Sequence, residues 1–239
     1  MLEIDHLVVH TENINSVEKL KEKLDEVGIP FEPNWGKKAK GFRVSNIWMG
    51  KQYFEVVTIT DANNLWQPQW AKRFADGDRG TFCIFFKIDF PISELHAQLK
   101  DDGFSVTQPE RTEFKWFFGL FKKSLPWRFF LTSRVPGTDI ELGFIEYDTG
   151  AERKFAPYMV PNTREVGLKG LSSPTINSSA PGQSEIWLDR LQNVIGDTLN
   201  LSVKPQVGKT VLELNVDAIE GHEFPGVEIV DILLAPVPR

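Results

Sequence analysis

The chain has 239 residues, of which 41% are hydrophobic and 25% are charged, and its formal net charge is -6 at pH 7. These values are typical of a folded globular protein and exclude a disordered chain. The acidic balance argues against a nucleic-acid partner, and no apolar run reaches the roughly 18–20 residues that cross a bilayer. We therefore expect neither a nucleic-acid nor a membrane partner.

The compartment is predicted from cysteine use and from the first residues. Cys83 is the single cysteine, which excludes an internal disulfide. A strand-like segment begins almost at Met1 and leaves no room for a signal peptide. We expect a cytoplasmic protein.

The first predicted unit covers residues 1–80. The run EIDHLVVHT is strand-like, and the leucines of LKEKLDEVG lie one turn apart before Gly28, a pattern typical of a helix end. FRVSNIWM and QYFEVVTI then flank Gly50-Lys51, which predicts a β-hairpin. The unit is thus a strand, a helix and at least two further strands.

The second predicted unit covers residues 81–150 and repeats the first. LHAQLKDDG aligns with LKEKLDEVG without a gap, so that Gly103 matches Gly28. TFCIFFKIDF precedes this helix, and WRFFLTSRV and DIELGFIEY follow it as a hairpin around Pro136-Gly137. The repeat predicts two units of the same topology.

An aromatic insertion, EFKWFFGLFKKSLPW at residues 113–127, interrupts the second unit. Its segment Trp116 to Phe121 suits a lid over an apolar ligand, a dimer contact or a membrane-surface patch. A loop packed on its own core is an equally good interpretation.

Residues 165–239 form a third region, with a helical pattern in SEIWLDRLQNVIG followed by the strand-like runs TVLELNVD and GVEIVDILLA. We predict a C-terminal βαββ extension. It is either a partial third module or a cover for an exposed sheet edge. An unpaired third unit would favour a homodimer, because a half-covered sheet exposes apolar surface.

Together these motifs resemble a known superfamily. Asp5-His6-Leu7-Val8 opens the first unit and Tyr53-Phe54-Glu55 closes it, an arrangement that is similar to the vicinal oxygen chelate superfamily. Gly41, Asn46, Gly50, Tyr53 and Glu55 resemble the pattern of the glyoxalase-like domain family within it. The resemblance implies an α+β fold of tandem βαβββ modules, with a C-terminal α/β extension, whose curved sheets form a cleft for a small molecule.

The resemblance also implies a metal site. His6 falls on the ligand position of the first strand, and Glu55 and Glu141 fall on those of the two last strands. This set would hold one divalent ion, Zn²⁺, Mn²⁺, Fe²⁺ or Ni²⁺, and spacing does not choose among them. The fourth ligand position departs from the pattern, because the alignment places Thr81 there.

The two glutamates raise a question of their own, since an ionised carboxylate in an apolar cleft is costly without compensation. A metal ion would compensate Glu55 and Glu141, and so would ion pairs with Arg43 and Arg128. Either glutamate could instead face water or carry a proton. His10 lies about 13 Å along the strand from His6, too far to share a metal, and is expected to be a polar residue at the strand end.

Two functions remain open. The first is a metal-assisted lyase, isomerase or dioxygenase for a small oxygenated substrate, with Glu55 and Glu141 as catalytic residues. The second is a metal-free protein that binds or sequesters a small molecule in the same cleft. No glycine loop that could cradle a phosphate is present, so no nucleotide cofactor is expected. The predicted ligand contacts are Arg43, Asn46, Trp48, Tyr53, Trp127 and Arg128.

Overall fold

The structure is a computed structural model that describes residues 2–33, 41–61, 63, 68–111, 113–116, 121–196, 199–209 and 211–237. Its helices are α1 (Ile14–Glu26), α2 (Pro68–Ala75), α3 (Ile92–Asp101), α4 (Ala151–Phe155) and α5 (Pro181–Ile195). The strands up to residue 150 are β1 (Glu3–Thr11), β2 (Phe42–Met49), β3 (Gln52–Ile59), β4 (Gly80–Lys87), β5 (Glu113–Trp116), β6 (Phe121–Ser124), β7 (Trp127–Arg134) and β8 (Glu141–Tyr147). The later strands are β9 (Leu168–Ser178), β10 (Ser202–Pro205), β11 (Leu212–Ala218), β12 (Val227–Ile229) and β13 (Ile232–Pro236). No described helix is long and apolar enough to span a membrane.

Six strands form the first sheet, in the order β2-β3-β1-β4-β8-β7. β1 is parallel to β3, and β4 is parallel to β8, so each unit pairs its first strand with its last. The two units meet where β1 runs antiparallel to β4. This is the predicted α+β architecture of two tandem modules: each module contributes three strands to the described sheet, and both modules come from one chain.

The local signals that predicted the modules act as expected. Gly28 and Gly103 follow α1 and α3 with φ of 73° and 79°, the left-handed conformation that ends a helix. β2 and β3 form the hairpin around Gly50-Lys51. In the second module, residues 105–110 run beside β7, where Glu110 and Phe129 exchange backbone hydrogen bonds of 2.9 and 3.0 Å. They supply the second strand of this module in irregular form.

The aromatic insertion forms a separate two-stranded ladder of β5 and β6. Residues 117–120, at its tip, lie outside the described residues. The roles considered for Trp116 to Phe121 therefore stay predictions.

The C-terminal region builds a second sheet in the order β10-β9-β11-β13-β12. β10 is parallel to β9, β9 is antiparallel to β11, β11 is parallel to β13, and β13 is antiparallel to β12. The first sheet has the same order and directions from β3 to β7. The C-terminal region therefore repeats the strand pattern of a module pair: α5 connects β9 to β10, and a loop without a helix connects β11 to β12.

The main core lies between the two sheets. α1 contacts β1 and β12, α3 contacts β7, β8 and α5, and α5 contacts β9 and β10. Buried apolar residues from both sheets and from these three helices belong to one continuous cluster. The three helices are thus covered by a sheet on each side. The face of the first sheet that points away from these helices forms the cleft.

Two polar contacts attach the sheets to each other. The Gln52 side chain donates to the Leu171 carbonyl at 2.9 Å and accepts from the Leu171 amide at 2.5 Å. Asp231 accepts from the amide of Thr81 at 3.0 Å and from its hydroxyl at 2.8 Å. Because backbone groups take part in both contacts, they fix the position of one sheet edge against the other.

Candidate functional site

The cleft face of the first sheet has an apolar floor with polar groups at defined places. The floor is a second cluster of buried residues: Val8, Phe42, Val57, Ile59, Phe82, Cys83, Phe85, Phe129, Leu131 and Ile145. Phe74 of α2 packs against this cluster. α2 connects the two modules and covers part of the cleft that the second module would otherwise leave open.

A β-bulge brings Asp5 and His6 to one face of β1. The register with β4 shifts between Ile4 and His6, so the usual alternation of side chains is interrupted there. His6 Nδ1 lies 2.6 Å from Asp5 Oδ2. Because a carboxylate only accepts hydrogen bonds, His6 donates from Nδ1 and its other ring nitrogen is the one that faces the cleft.

The His6 ring is fixed by stacking as well as by this hydrogen bond. Tyr53 lies on one side, with 4.7 Å between ring centroids, and Phe85 is also stacked, with 4.3 Å. Tyr147 donates its hydroxyl to Asp5 Oδ2 at 2.9 Å. Burial and the Asp5 charge raise the pKa of Tyr147 far above its usual value, which keeps this donor protonated.

Glu55 extends this array. It lies opposite Val8 in the parallel β1–β3 register, two residue pairs beyond the pair of His6 and Tyr53, and its Oε2 is 3.8 Å from His6 Nε2. Burial raises the pKa of Glu55; the His6 charge opposes the rise and the Asp5 charge adds to it. Asp5, His6 and Glu55 thus form a connected series of ionisable groups, in which Glu55 keeps 22% of its side chain exposed.

A cavity of about 930 Å³ opens beside this series. Four of the predicted ligand contacts line it: Asn46, Trp48, Tyr53 and Trp127. Trp48 and Trp127 come from β2 and β7, the two edges of the sheet, so the curved sheet brings its edges to the same space. The other lining residues are Asp5, Glu32, Val44, Ser45, Lys51, Tyr147, Glu152, Arg153, Phe155, Ala156, Tyr158, Met159, Val160 and Arg164.

Arg43 and Arg128 are not among the residues that line this cavity. Each lies in a strand one position away from residues that belong to the cleft floor, Phe42 and Phe129. In the strand register Arg43 is opposite Thr58 and Arg128 is opposite Glu146, so neither arginine is opposite Glu55 or Glu141. The strand register therefore does not place Arg43 or Arg128 opposite either of the glutamates with which they were predicted to pair.

Glu141 is instead paired with Arg73 of α2. Arg73 Nη1 lies 3.4 Å from Glu141 Oε1, and Arg73 Nε donates to Asp78 at 3.0 Å. Arg73 also stacks over Phe82 with 3.7 Å to the ring centroid. Burial raises the pKa of Glu141, and the Arg73 charge opposes that rise.

Thr81, the residue of the second module that aligns with His6, is held by a contact with the second sheet. Thr81 donates its hydroxyl to Asp231 of the second sheet, so it faces a structural contact. Cys83, two residues further along β4, is buried, and burial raises the pKa of its thiol well above the usual value. A thiol held neutral in this way is a poor metal ligand and a poor nucleophile.

His10 lies next to the last residue of β1, at the strand end as expected, and it is buried there. Its ring stacks on Phe82 with 3.6 Å between centroids. Burial, together with the charges of Arg73 and Arg79, lowers its pKa to about 3. His10 therefore stays neutral at physiological pH.

The residues do not fit the three-ligand metal centre that the family resemblance implied. His6 and Glu55 lie together, but Glu141 is held by the guanidinium of Arg73, and Thr81 is held by Asp231. Among the described residues no group of three or more His, Cys, Asp or Glu side chains is arranged to hold a metal ion. We therefore derive no chemical step through a metal.

Several residues of the site were missed by the sequence analysis. The pairing of Asp5 with His6 depends on a bulge that a strict two-residue alternation does not predict. Tyr147 ends the last strand of the second module and meets Asp5 only because β1 and β4 are neighbours. The segment that carries Arg153 and Arg164 had no repeat counterpart. The amphipathic pattern of PQWAKRFA is the one sequence signal that could have indicated that α2 packs against the sheet.

Comparison with known proteins shows relatives by fold. No protein-family model matches the chain, and no curated protein matches it in sequence. A hypothetical protein from Staphylococcus aureus has a similar solved structure, with 10% identity and a TM-score of 0.66 over 99% of this chain and 100% of that one.

Smaller solved structures match with lower scores. A hypothetical protein from Bacillus halodurans C-125 has 13% identity and a TM-score of 0.44 over 62% of this chain and 95% of its own. A methylmalonyl-CoA epimerase in complex with methylmalonyl-CoA and NH4+ has 13% identity and a TM-score of 0.44, over 63% and 97%. The Staphylococcus aureus structure shows that the whole two-sheet arrangement is a fold shared with another protein.

Proposed function

We propose that this protein is a small-molecule enzyme of the vicinal oxygen chelate type, within the glyoxalase-like group, that transfers a proton to or from a bound oxygenated substrate. The observation that carries the proposal is the Asp5–His6–Glu55 series beside a cavity with aromatic walls. The paired βαβββ topology of β1 to β8 supports the superfamily assignment. An isomerase or a lyase is the reaction class that fits.

Each member of the series has a role in this proposal. Asp5 accepts from His6 Nδ1 and so directs Nε2 of the ring toward Glu55. Glu55 is the more exposed of the pair and is the group that meets the substrate. A carboxyl whose pKa is raised toward neutrality exchanges a proton with a weak carbon acid more readily than an ordinary one does. His6 then takes up the proton from Glu55 or returns it, and Asp5 is the residue that positions the His6 ring.

Proton abstraction from a substrate can be measured without knowing the overall reaction. We would incubate the protein in D₂O with a panel of small 2-hydroxy ketones and 2-keto acids and follow exchange of the C–H group next to the carbonyl by ¹H NMR. Glu55→Gln should abolish the exchange, and Glu22→Gln, on the exposed side of α1, should leave it unchanged. Equal exchange by the native protein and the Glu55→Gln variant would contradict the proposal.

A second candidate is binding without chemistry. It is favoured by one observation: Asp5 and Tyr53 line the cavity, whereas His6 and Glu55 are not among its lining residues. In that case Glu55→Gln would leave the affinity of a cavity ligand unchanged and no exchange would occur. The same experiment, with ligand affinity measured beside it, separates the two functions.

A further inference from the structure

The electrostatic field in the cavity is more positive than the formal charges of its lining residues suggest. Six of its lining residues have side chains with a formal charge: three acids and three bases. Taken as formal charges they cancel. Their partners decide the field that a ligand meets, because a paired charge contributes far less than an unpaired one.

Each of the three acids already has polar partners: two are in ion pairs with lysines, and Asp5 is held by hydrogen bonds. Asp5 accepts hydrogen bonds from His6 and Tyr147. Glu32 is paired with Lys21, whose Nζ is 3.2 Å from Glu32 Oε1. Glu152 forms an ion pair with Lys87. None of these carboxylates needs a cation from a ligand.

The three bases form no such pairs. Within the described residues Lys51, Arg153 and Arg164 make no ion pair. All three side chains are exposed, so each guanidinium or ammonium group can approach a ligand. The cavity of a chain with a net charge of -6 is thus bordered by three uncompensated positive charges.

Two of these bases, Arg153 and Arg164, come from the segment of residues 151–167, and Lys51 lies on the β2–β3 turn. Asn162 donates its side-chain amide to the carbonyl of Gly50 at 2.9 Å, which fixes the segment on the β2–β3 turn. Gly50 has a φ of 72°, and a Cβ at this position would lie 3.5 Å from Arg164 Nε. Arg164 therefore passes beside the turn that carries Lys51, while Arg153 reaches the cavity from α4.

The walls behind the bases are aromatic. Trp48 lies against Tyr53, with 4.6 Å between ring centroids. On the other edge of the sheet Trp127 contacts Tyr147 at 5.9 Å and Phe155 at 5.5 Å. Such walls favour a flat, apolar body, whose faces can stack or meet ring edges.

We propose that the cavity recognises an organic anion: a planar, apolar body held between Trp48 and Trp127, with a carboxylate, sulfonate or phosphate group held by Lys51, Arg153 and Arg164. The inference rests on the proposed function only in taking this cavity as the ligand site. It adds the chemical class of the ligand. Arginine and lysine together suit such groups, because guanidinium bonds to an anion are charge-assisted.

The test uses two probes that differ by one charge. 8-Anilinonaphthalene-1-sulfonate carries a sulfonate, and N-phenyl-1-naphthylamine is the same ring system without it; fluorescence titration gives both dissociation constants. We expect the sulfonate to bind the native protein about tenfold more tightly than the neutral probe. Raising the salt concentration should reduce that difference, because exposed charges are screened.

A charge-matched pair of variants locates the effect. Replacing Lys51, Arg153 and Arg164 together by glutamine should weaken the sulfonate about tenfold and change the neutral probe by less than about twofold. The control replaces Lys100, Lys154 and Lys169, three exposed lysines that do not line the cavity, and should leave both constants unchanged. Equal effects of the two triple variants would overturn the proposal, because the net charge alone would then explain them.

The aromatic walls separate this proposal from the proposed function. Trp48→Ala and Trp127→Ala should weaken both probes. If both probes bind equally and depend on the tryptophans, the cavity is a ligand site and the anion class is wrong. If neither probe responds to the tryptophans, the cavity is not the ligand site, and the proposed function fails with the inference.

Discussion

Arg73 Nη1 lies 3.4 Å from Glu141 Oε1, in the half of the cleft where the family resemblance placed a metal ligand. The arginine comes from α2, between the modules, and 9% of its side chain is exposed. A fixed guanidinium thus supplies the positive charge that Glu141 requires. The two halves of the cleft therefore differ: one holds an ion pair, and the other holds the His6–Glu55 pair beside the cavity.

The Arg73–Glu141 pair should be measurable in stability. Arg73→Met leaves Glu141 without the cation that pairs with it, while Asp78 keeps its ion pair with Arg134, and we expect the variant to lower the free energy of unfolding by about 3 kcal/mol. Glu141→Gln in the Arg73→Met background should recover part of that loss. A urea-denaturation cycle of the four proteins measures the coupling, and strictly additive effects would show that the two residues do not interact.

The raised pKa of Glu55 predicts a pH effect with a definite sign. Because the folded protein holds the Glu55 proton more tightly than the unfolded chain, Glu55 costs stability as the pH rises from the usual glutamate range through the raised pKa. Glu55→Gln removes this cost, so the variant should gain stability relative to the native protein over that interval. Denaturation at a series of pH values measures the difference. The difference between Glu22→Gln and the native protein should show no such trend.

Tyrosine ionisation provides a separate check on the site. Burial raises the pKa of Tyr53 and that of Tyr147 far above the usual value. Tyr158→Phe leaves these two as the only tyrosines of the chain. An ultraviolet pH titration of this variant should therefore show no tyrosine ionisation before alkaline unfolding. Ionisation of a tyrosine in the folded variant would mean that the Asp5–Tyr147 contact is open.

Metal dependence is the point where the resemblance and the geometry disagree. Because Glu141 and Thr81 are held by Arg73 and Asp231, we expect no metal ion to be retained at stoichiometric level. Elemental mass spectrometry of the native protein and of His6→Ala, before and after incubation with Mn²⁺, Ni²⁺, Fe²⁺ and Zn²⁺, tests this. Stoichiometric metal that disappears in His6→Ala would restore the ligand set implied by the resemblance.

The contact between Thr81 and Asp231 should stabilise the association of the two sheets. Burial raises the pKa of Asp231, while the hydrogen bonds from Thr81 oppose that rise. Asp231→Ala leaves the Thr81 amide and hydroxyl without their acceptor, and we expect a loss of about 2 kcal/mol. Thr81→Val should cost less, because the backbone amide keeps its bond to Asp231. An equal or larger loss in Thr81→Val would mean that the hydroxyl carries the contact.

The sequence was sufficient for features with a local cause. Gly28, Gly103 and the Gly50-Lys51 turn mark ends and reversals that need a particular backbone conformation, and the repeat of these marks predicted the modules. It was not sufficient for features that depend on distant partners. The Asp5–His6 pairing needs a bulge, and the Arg73–Glu141 pairing needs α2 to fold back into the cleft.

The third region shows the same limit in another form. The helix and strands after residue 165 were predicted, but the equal strand order of the two sheets was not, because β10 and β12 are too short to give a pattern of their own. The predicted boundaries 1–80, 81–150 and 165–239 stay predictions. They coincide with the start of β4 at Gly80 and the start of β9 at Leu168 to within a few residues.

The position of α1, α3 and α5 between the two sheets has a consequence for cooperativity. A fragment that ends at residue 150 would expose the outer sides of α1 and α3, where Phe104 now packs against Trp187 and Arg190. Apolar surface exposed in this way favours aggregation. The chain should therefore lose its structure in a single transition, and neither half should persist when the other is removed.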